Sequence, residues 1–305
     1  MVHNGIIVPR LDADEDSEMA FEQVLSEYRN LQKLFPQDQK DSRITDLLEN
    51  VVLGSLEVLA SVDRKTLTTG LVGKRYFSFS HQGKISRAVN EDLFLEEPGE
   101  IRKFFETIRS TGFVSVGSTF LTRACYTSAV AFCCLTDIFK TRDQKTPATY
   151  FEYLIGHIIA TVLECNPTKQ LDVLSGDLSA KLPTDFIFDL GERRTKFHVP
   201  VKTSTRERVI QVWAHQRVLD GVYGTGRYKG ILVCLSETKL DHETLDVIEI
   251  CLPDQWRIYQ MFIAHLERVY YLDVPIRYGQ MISEYPRIEV RQFGDFFLEY
   301  EALSG

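Results

Sequence analysis

A carboxylate and an ammonium group stand at the ends of two short apolar segments in the second half of this 305-residue sequence. Asp185 opens the segment DFIFDL, and Lys202 closes the segment KFHVPVK, with GERRT between them. A hairpin would bring the start of the first strand beside the end of the second. A carboxylate that holds a divalent ion, with a cation near the attacking water, suits phosphodiester hydrolysis. The pattern therefore predicts such a site at one end of this hairpin.

A second carboxylate on the first segment competes for this role. Asp189 lies four residues after Asp185, so both side chains point to the same face of a strand, and alternation does not separate them. The Pro-Thr-Asp context favours Asp185. Taken alone, an aspartate after Pro-Thr is also typical of a turn, and a lysine at a strand end is usually solvated.

A basic strip surrounds Lys202 within an otherwise acidic chain of net charge -8. Between residues 191 and 217, two anions (Glu192, Glu207) face seven cations: Arg193, Arg194, Lys196, Lys202, Arg206, Arg208 and Arg217. Such a strip indicates a focused site for a polyanion.

The element Arg206-Glu207-Arg208 opens a predicted helix, RERVIQVWAHQRVLD. Arginines in the first turn oppose the helix macrodipole, and bidentate contacts to guanine would compensate for that cost. Glu207 could accept from cytosine, or it could close a capping box with Ser204. Both interpretations of Glu207 stay open at this stage.

Composition and the N-terminus narrow the class of protein. The sequence has no apolar run of transmembrane length, and its acidic start does not resemble a signal peptide. We therefore expect a soluble cytoplasmic protein without a membrane partner. Its six cysteines, mostly in apolar segments and without a C-x-x-C pair, indicate reduced core thiols.

Hydrophobic periodicity divides the chain into a mainly helical N-terminal domain, 1–145, and a second domain, 146–305. The second domain is predicted to begin with a helix at TPATYFEYLIGHIIATVLECN, followed by the two strands and by the helix after Lys202. Strands at KGILVCLSE and DVIEICL and a long closing helix over 253–271 complete it. That order predicts an α/β fold with a mixed central sheet flanked by helices. His157, on the apolar first helix, is expected to be a core histidine.

The motifs PTD and VPVK resemble the core of the PD-(D/E)xK nucleases. The stretch KTSTRERVIQVW is similar to type II restriction endonucleases whose sites contain a CC/GG core. The resemblance covers residues 146–278. It implies Mg²⁺-dependent cleavage of double-stranded DNA by a homodimer at a short G:C-containing site, with a DNA methyltransferase as genetic partner. It also implies that the N-terminal half contacts the dimer partner or DNA.

The resemblance assigns metal binding to Asp185, water activation to Lys202 and base reading to Arg206, Glu207 and Arg208. It further assigns Glu152 in YFEYLIG as a second metal-site carboxylate that supports the metal or a lysine contact, although Glu164 competes for that role.

The sequence departs from the family pattern at Pro200, where the acid of (D/E)-x-K is expected. In this branch the acid lies on the following helix, about a dozen residues after the lysine, but those positions are Ala214, His215 and Gln216. His215 could contact the metal through water and Gln216 could be a neutral oxygen ligand, or both could be ordinary helix residues. Two other functions stay open: a structure-selective repair or recombination nuclease with the same core, and a non-catalytic DNA-binding regulator, which the missing acid favours.

Overall fold

A computed structural model describes residues 13–305 apart from 174–179 and 193, and only the backbone of 13–15, 207 and 208. The helices are α1 Ala13–Leu34, α2 Ser42–Ala60, α3 Pro98–Ser110, α4 Ser118–Phe139, α5 Lys145–Val162, α6 Ile210–Tyr223, α7 Pro253–Phe262, α8 Ile276–Gly279 and α9 Phe296–Ser304. The strands are β1 Asp63–Thr69, β2 Tyr76–His81, β3 Lys84–Ile85, β4 Val89–Asn90, β5 Thr168–Asp172, β6 Lys181–Phe188, β7 Lys196–Val199, β8 Val201–Lys202, β9 Tyr228–Cys234, β10 Thr238–Leu240, β11 Asp246–Glu249, β12 Leu266–Tyr271 and β13 Val290–Gln292.

The central sheet has the strand order β13-β12-β9-β7-β6-β5, and β8 also pairs with β9. One part of this sheet is parallel: β9 pairs with β7, β8 and β12, and β12 pairs with β13. The other part is antiparallel, because β6 runs antiparallel to both β7 and β5. The predicted hairpin is therefore present as β6 and β7, within a mixed sheet. The predicted fold class, a mixed α/β sheet flanked by helices, is confirmed.

Alternating side chains divide the core of this sheet into two layers. On β9, Ile231 and Val233 join the large cluster that contains α5, whereas Leu232 and Cys234 join the cluster of α6 and α7. Successive residues of a strand point to opposite faces, so a sheet covered on both sides reads as a continuous apolar run. Trp213 and Trp256 are fully buried in the second layer.

A second sheet, with the order β10-β11-β1-β2-β3 and β4 beside β2, joins the two halves of the chain. The strand predicted at DVIEICL is β11, but it pairs with β1 and β10 and lies outside the central sheet. Lys74 strengthens this junction because its Nζ lies 2.9 Å from Glu249, 2.8 Å from Asp273 and 2.7 Å from the carbonyl of Val274.

The N-terminal half is mainly helical, as predicted, but it also contributes β1–β4. One hydrophobic cluster runs from Phe21 in α1 to Leu303 in α9, so buried contacts cross the predicted boundary at 145/146. The division into two domains stays a prediction. No helix of the described residues is long and apolar enough to cross a membrane.

The long closing helix predicted over 253–271 is wrong. Helix α7 ends at Phe262, and β12 begins at Leu266 as a parallel neighbour of β9. The end of the segment, Val-Tyr-Tyr, carries a β-branched residue and two aromatic residues, which favour a strand. The tertiary environment selects the strand, because Val269, Tyr270 and Tyr271 are fully buried in it between two layers of side chains.

Helix α5 approaches the central sheet at a glycine. A methyl group added at Gly156 would come within 2.4 Å of the ring of Phe186 on β6 and 2.9 Å of the ring of Phe35. The close approach therefore depends on the missing side chain. It seats β6 against α5 immediately beside Asp185.

We predict that Gly156→Ala destabilises the protein by about 1–3 kcal/mol, because an extra methyl group overpacks the contact with Phe186. Gly221→Ala is the matched control, since this α6 position has open space around it. Alanine there should stabilise by up to about 1 kcal/mol through helix propensity. Urea unfolding of both variants checks the prediction, and equal stability of the two would contradict it.

His157 is a buried histidine with both ring nitrogens engaged. Its Nδ1 donates to the carbonyl of Gln39 at 2.7 Å, and its Nε2 accepts from the hydroxyl of Thr45 at 2.7 Å. The predicted role of a core histidine is therefore confirmed. Burial lowers the pKa of His157 to about 4, so the ring is neutral in the folded protein at neutral pH.

The unfolded chain takes up a proton at His157 near pH 6.5, whereas the folded chain resists until pH 4. Stability is therefore fully present above pH 6.5 and falls as the pH drops towards 4. We predict that His157→Gln loses about 2 kcal/mol less stability than the wild type between pH 7 and pH 5. Urea titrations at the two pH values measure this difference, which should vanish if His157 is protonated in the folded state.

Candidate functional site

Asp185 and Lys202 meet at one end of the central sheet. The Lys202 Nζ lies 2.7 Å from Oδ2 of Asp185, and the backbone N–H of Val201 donates to the same oxygen at 2.8 Å. Both side chains are partly exposed, at 25% for Asp185 and 35% for Lys202. Among the described residues none donates to Oδ1 of Asp185, so one carboxylate oxygen remains available to a ligand.

The strand pairing explains this geometry. The antiparallel register places Phe186 opposite Val199, so Asp185 faces the chain where β7 ends. Pro200 has no N–H and interrupts the strand there. After Pro200, β8 pairs with β9, through the N–H of Val233 on the Pro200 carbonyl at 2.9 Å. The N–H of Val201 is thereby left to bind Asp185.

The competing carboxylate, Asp189, lies at the other end of the same strands. It forms an ion pair with Lys196 and accepts the N–H of Gly191 at 3.0 Å. These hydrogen bonds lower the pKa of Asp189, with the contact to Lys196 as the largest cause. The structure therefore brings Asp185, and not Asp189, to Lys202.

Two histidines lie beside the Asp185–Lys202 pair, on the α6 side of the sheet. The rings of His198 on β7 and His215 on α6 are 6.4 Å apart. Burial lowers the pKa of His198 to about 4 and also lowers that of His215, where Lys202 adds to the effect and Asp185 opposes it. The Nε2 atom of His198 is buried and has no hydrogen-bond partner among the described residues.

The side-chain amide of Gln216 is engaged in hydrogen bonds within the protein. Its Nε2 donates to Asp220 at 3.0 Å and to the carbonyl of Tyr228 at 2.8 Å, while its Oε1 lies 3.1 Å from Nδ1 of His198. Gly230 accommodates the amide, since a methyl group there would lie 2.7 Å from Oε1. The oxygen is thus engaged with His198, and the structure does not present it as an open metal ligand.

Glu152 lies on the α5 side of the sheet and forms an ion pair with Lys169 on β5. The Nζ of Lys169 is 5.1 Å from the ring centroid of Phe186, which points away from the face of Asp185. The hydrogen bonds and ion pairs of the described residues do not join Glu152 to Asp185 or Lys202. The competing Glu164 lies beyond the end of α5, with a φ of 50°.

The Arg-Glu-Arg element forms a 3-10 turn, Arg206–Val209, and α6 begins only at Ile210. Val209 occupies the N-cap position of α6 without a side-chain cap, and the capping box of Ser204 with Glu207 stays a prediction because it needs the side chain of Glu207. Arg206 is exposed and has a φ of 38°, in the left-handed region. The side chains of Glu207 and Arg208, and all of Arg193, lie outside the described residues.

A buried acid that the sequence analysis missed lies under this turn. Oε1 of Glu237 accepts the N–H of Thr205 at 2.8 Å, the hydroxyl of Thr205 at 2.5 Å and the hydroxyl of Tyr271 at 2.8 Å. Glu237 follows β9 after Leu235 and Ser236. A polar residue directly beyond a buried strand is the signal that could have identified it.

A cleft of about 810 Å³ opens beside Arg206, between the two halves of the chain. Exposed Arg206, Arg142 and Lys239 line it, and none of them forms an ion pair with a described carboxylate. Two further cations of the cleft are paired, Lys140 with Asp143 and Arg87 with Asp137. The cleft therefore offers unpaired positive charge to an anionic ligand.

The donor atoms near Lys202 suit a hard cation that takes most ligands from water and substrate. Within the described parts of the chain, no three His, Cys, Asp or Glu side chains cluster as metal ligands. The available protein ligand is the free Oδ1 of Asp185. Mg²⁺ commonly binds through one or two carboxylates together with substrate phosphates and water, whereas structural Zn²⁺ requires a full protein shell.

Comparison with solved structures reveals one extensive likeness. The chain is similar to the type IIP restriction endonuclease Kpn2I, with a TM-score of 0.76 and 25% identity over 93% of this chain and 97% of that chain. It also matches the restriction endonuclease PspGI in complex with substrate DNA at a TM-score of 0.41 and 13% identity, over 67% of this chain and 91% of that chain. That second likeness is too weak to extend the conclusion.

Comparison at the level of sequence adds nothing further. No protein-family model matches the chain, and no curated protein matches it. The structural likeness to Kpn2I, which spans almost the whole of both chains, confirms the predicted fold class and the predicted class of enzyme. The chain has the fold of a type II restriction endonuclease.

Proposed function

We propose that this protein is a type II restriction endonuclease that hydrolyses double-stranded DNA at a short G:C-containing site. The contact between Asp185 and Lys202 carries the proposal, since it lies at a sheet end in a fold shared with Kpn2I. The unpaired cations of the adjacent cleft support it, because duplex DNA is bound largely through its phosphates.

Asp185 is the proposed metal-binding residue, through Oδ1, the oxygen to which none of the described residues donates a hydrogen bond. Bound Mg²⁺ would supply polarisation of the scissile phosphate and a water of lowered pKa. Lys202 donates to the other oxygen of Asp185, which holds its ammonium group beside the same position. From there it can orient the attacking water and stabilise negative charge that develops on the phosphate.

His215 within α6 is the proposed replacement for the missing acid, as a group that contacts metal-bound water. Its lowered pKa supports this role because a neutral imidazole can accept a hydrogen bond. Glu152 is paired with Lys169 on the opposite face. We assign Glu152 no more than a supporting role through that lysine.

The arginines of the 3-10 turn are the proposed readers of base sequence, with Arg206 and Arg208 donating to guanine and Glu207 accepting from cytosine. Arg206 is exposed at the cleft, where such a contact is accessible. A palindromic site would require a homodimer in which each protomer cuts one strand. A DNA methyltransferase with the same specificity is the expected genetic partner.

Digestion of a sequenced plasmid with the purified protein and Mg²⁺, followed by mapping of the ends, tests the proposed function. We predict discrete fragments for the wild type and a loss of about 100-fold or more in cleavage rate for Asp185→Asn and Lys202→Ala. Asp189→Asn is the matched control, since it alters the carboxylate at the other end of the same strands. It should cut like the wild type.

The outcome also separates the alternatives. Cleavage that depends on damage or junctions would indicate a repair or recombination nuclease. A regulator would produce no fragments, and its function would be insensitive to Lys202→Ala. Binding to a labelled duplex should survive in Lys202→Ala, because this change removes the chemistry and leaves the cations of the cleft in place.

Arg206→Lys tests the proposed base contact. Lysine keeps the charge but loses the bidentate fork, so we predict a roughly 10- to 100-fold lower cleavage rate at the mapped site. Binding to unrelated DNA should change little. Arg102→Lys on α3, at an exposed position away from the cleft, is the control. Equal rates for both variants would exclude Arg206 from base reading.

A further inference from the structure

Glu237 is a charged side chain in an unusual place. It is fully buried, and three hydrogen bonds from Thr205 and Tyr271 converge on its Oε1 atom. Its Oε2 atom is also buried and has no hydrogen-bond partner among the described residues. Burying a carboxylate is costly unless hydrogen bonds compensate for the lost water, and here those hydrogen bonds come from Thr205 and Tyr271.

The residue that Glu237 holds is the last one before the Arg-Glu-Arg turn. Thr205 is almost fully buried, and both its N–H and its hydroxyl bind the same carboxylate oxygen. Arg206 follows directly with a φ of 38°, a conformation that a side-chain-bearing residue rarely adopts. Such a conformation persists only where neighbouring contacts enforce it. The double hydrogen bond at Thr205 is the contact in the right place.

Glu237 and the turn are connected through the same backbone that carries Lys202. The N–H of Leu235 donates to the Lys202 carbonyl at 3.0 Å, and the N–H of Ser236 donates to the Thr203 carbonyl at 3.3 Å. The chain after β9 thus runs alongside the segment 202–205, and this places Glu237 beside Thr205. Ser236, Ser204 and Arg206 line the adjacent cleft.

We propose that Glu237 is a positioning residue that fixes the Arg206 turn and thereby sets discrimination between DNA sequences. The two hydrogen bonds to Oε1 fix the backbone N–H and the hydroxyl of Thr205, the residue directly before Arg206. Glu237 itself touches neither DNA nor the reacting phosphate. This inference rests on the proposed function and adds to it a residue that controls specificity.

Glu237→Gln tests the inference because a neutral amide oxygen accepts the two hydrogen bonds from Thr205 less strongly than a carboxylate oxygen does. The readout is a ratio, the cleavage rate at the mapped plasmid site divided by the rate at single-base-pair variants of that site. We expect this ratio to fall about tenfold, comparable to the loss of one bidentate arginine contact. The rate at the mapped site with saturating DNA should change less than the ratio.

Tyr271→Phe is the matched control. It removes a hydrogen bond to the same Oε1 atom but leaves both bonds from Thr205 in place. The ratio should stay within about twofold of the wild type. A merely structural carboxylate would make both variants less stable and equally less active at every site, so an unchanged ratio in Glu237→Gln overturns the inference.

A second pair of variants decides the matter if Glu237→Gln does not fold. Thr205→Val removes the hydroxyl bond and should lower the ratio, whereas Thr205→Ser keeps the bond and should restore it. A ratio that is equal in these two variants overturns the inference. If the wild-type protein cuts no DNA, both the proposed function and this inference fail. If the wild type cuts DNA and the variants keep its ratio, only this inference fails.

Discussion

The contact of Lys202 with Oδ2 of Asp185 is the interaction on which the site depends. It forms because β6 and β7 run antiparallel, and because their pairing ends at Pro200 while the pairing with β9 continues through β8. Proline has no N–H to donate at this point of the strand. The N–H that it frees, on Val201, completes the binding of the carboxylate.

The central sheet keeps its two faces chemically distinct. The α5 face is hydrophobic and approaches so closely at Gly156 that no side chain fits there. The α6 face carries polar groups, with His198 and Gln216 in one buried network and Glu237 in another. Buried polar groups that are bonded have few alternative positions, so they hold nearby reactive groups in place. The rigidity of the site therefore originates in its α6 face.

The proposed catalytic lysine and the proposed base-reading arginine share one segment of chain, since only three residues separate Lys202 from Arg206. The end of β9 runs beside this segment and anchors both of its ends, at the Lys202 carbonyl and at Thr205. A displacement of the arginine turn is therefore transmitted to the lysine through a short, hydrogen-bonded backbone. Such coupling would link correct base contacts to the alignment of the cleaving groups.

Local patterns were sufficient to predict from sequence α5, the β6–β7 hairpin, the pairing of Asp185 with Lys202 and the core role of His157. Each depends on hydrophobic periodicity or on residues that lie at most 17 positions apart along the chain. The closing segment proved to contain β12, β11 joined the other sheet, and Glu237 was missed. Those outcomes depend on partners distant in sequence, such as β9 for β12 and Thr205 for Glu237. The intrinsic preferences for helix and strand are nearly equal in such segments. Contacts between residues far apart in sequence therefore decide the structure, and these contacts form only when the chain packs.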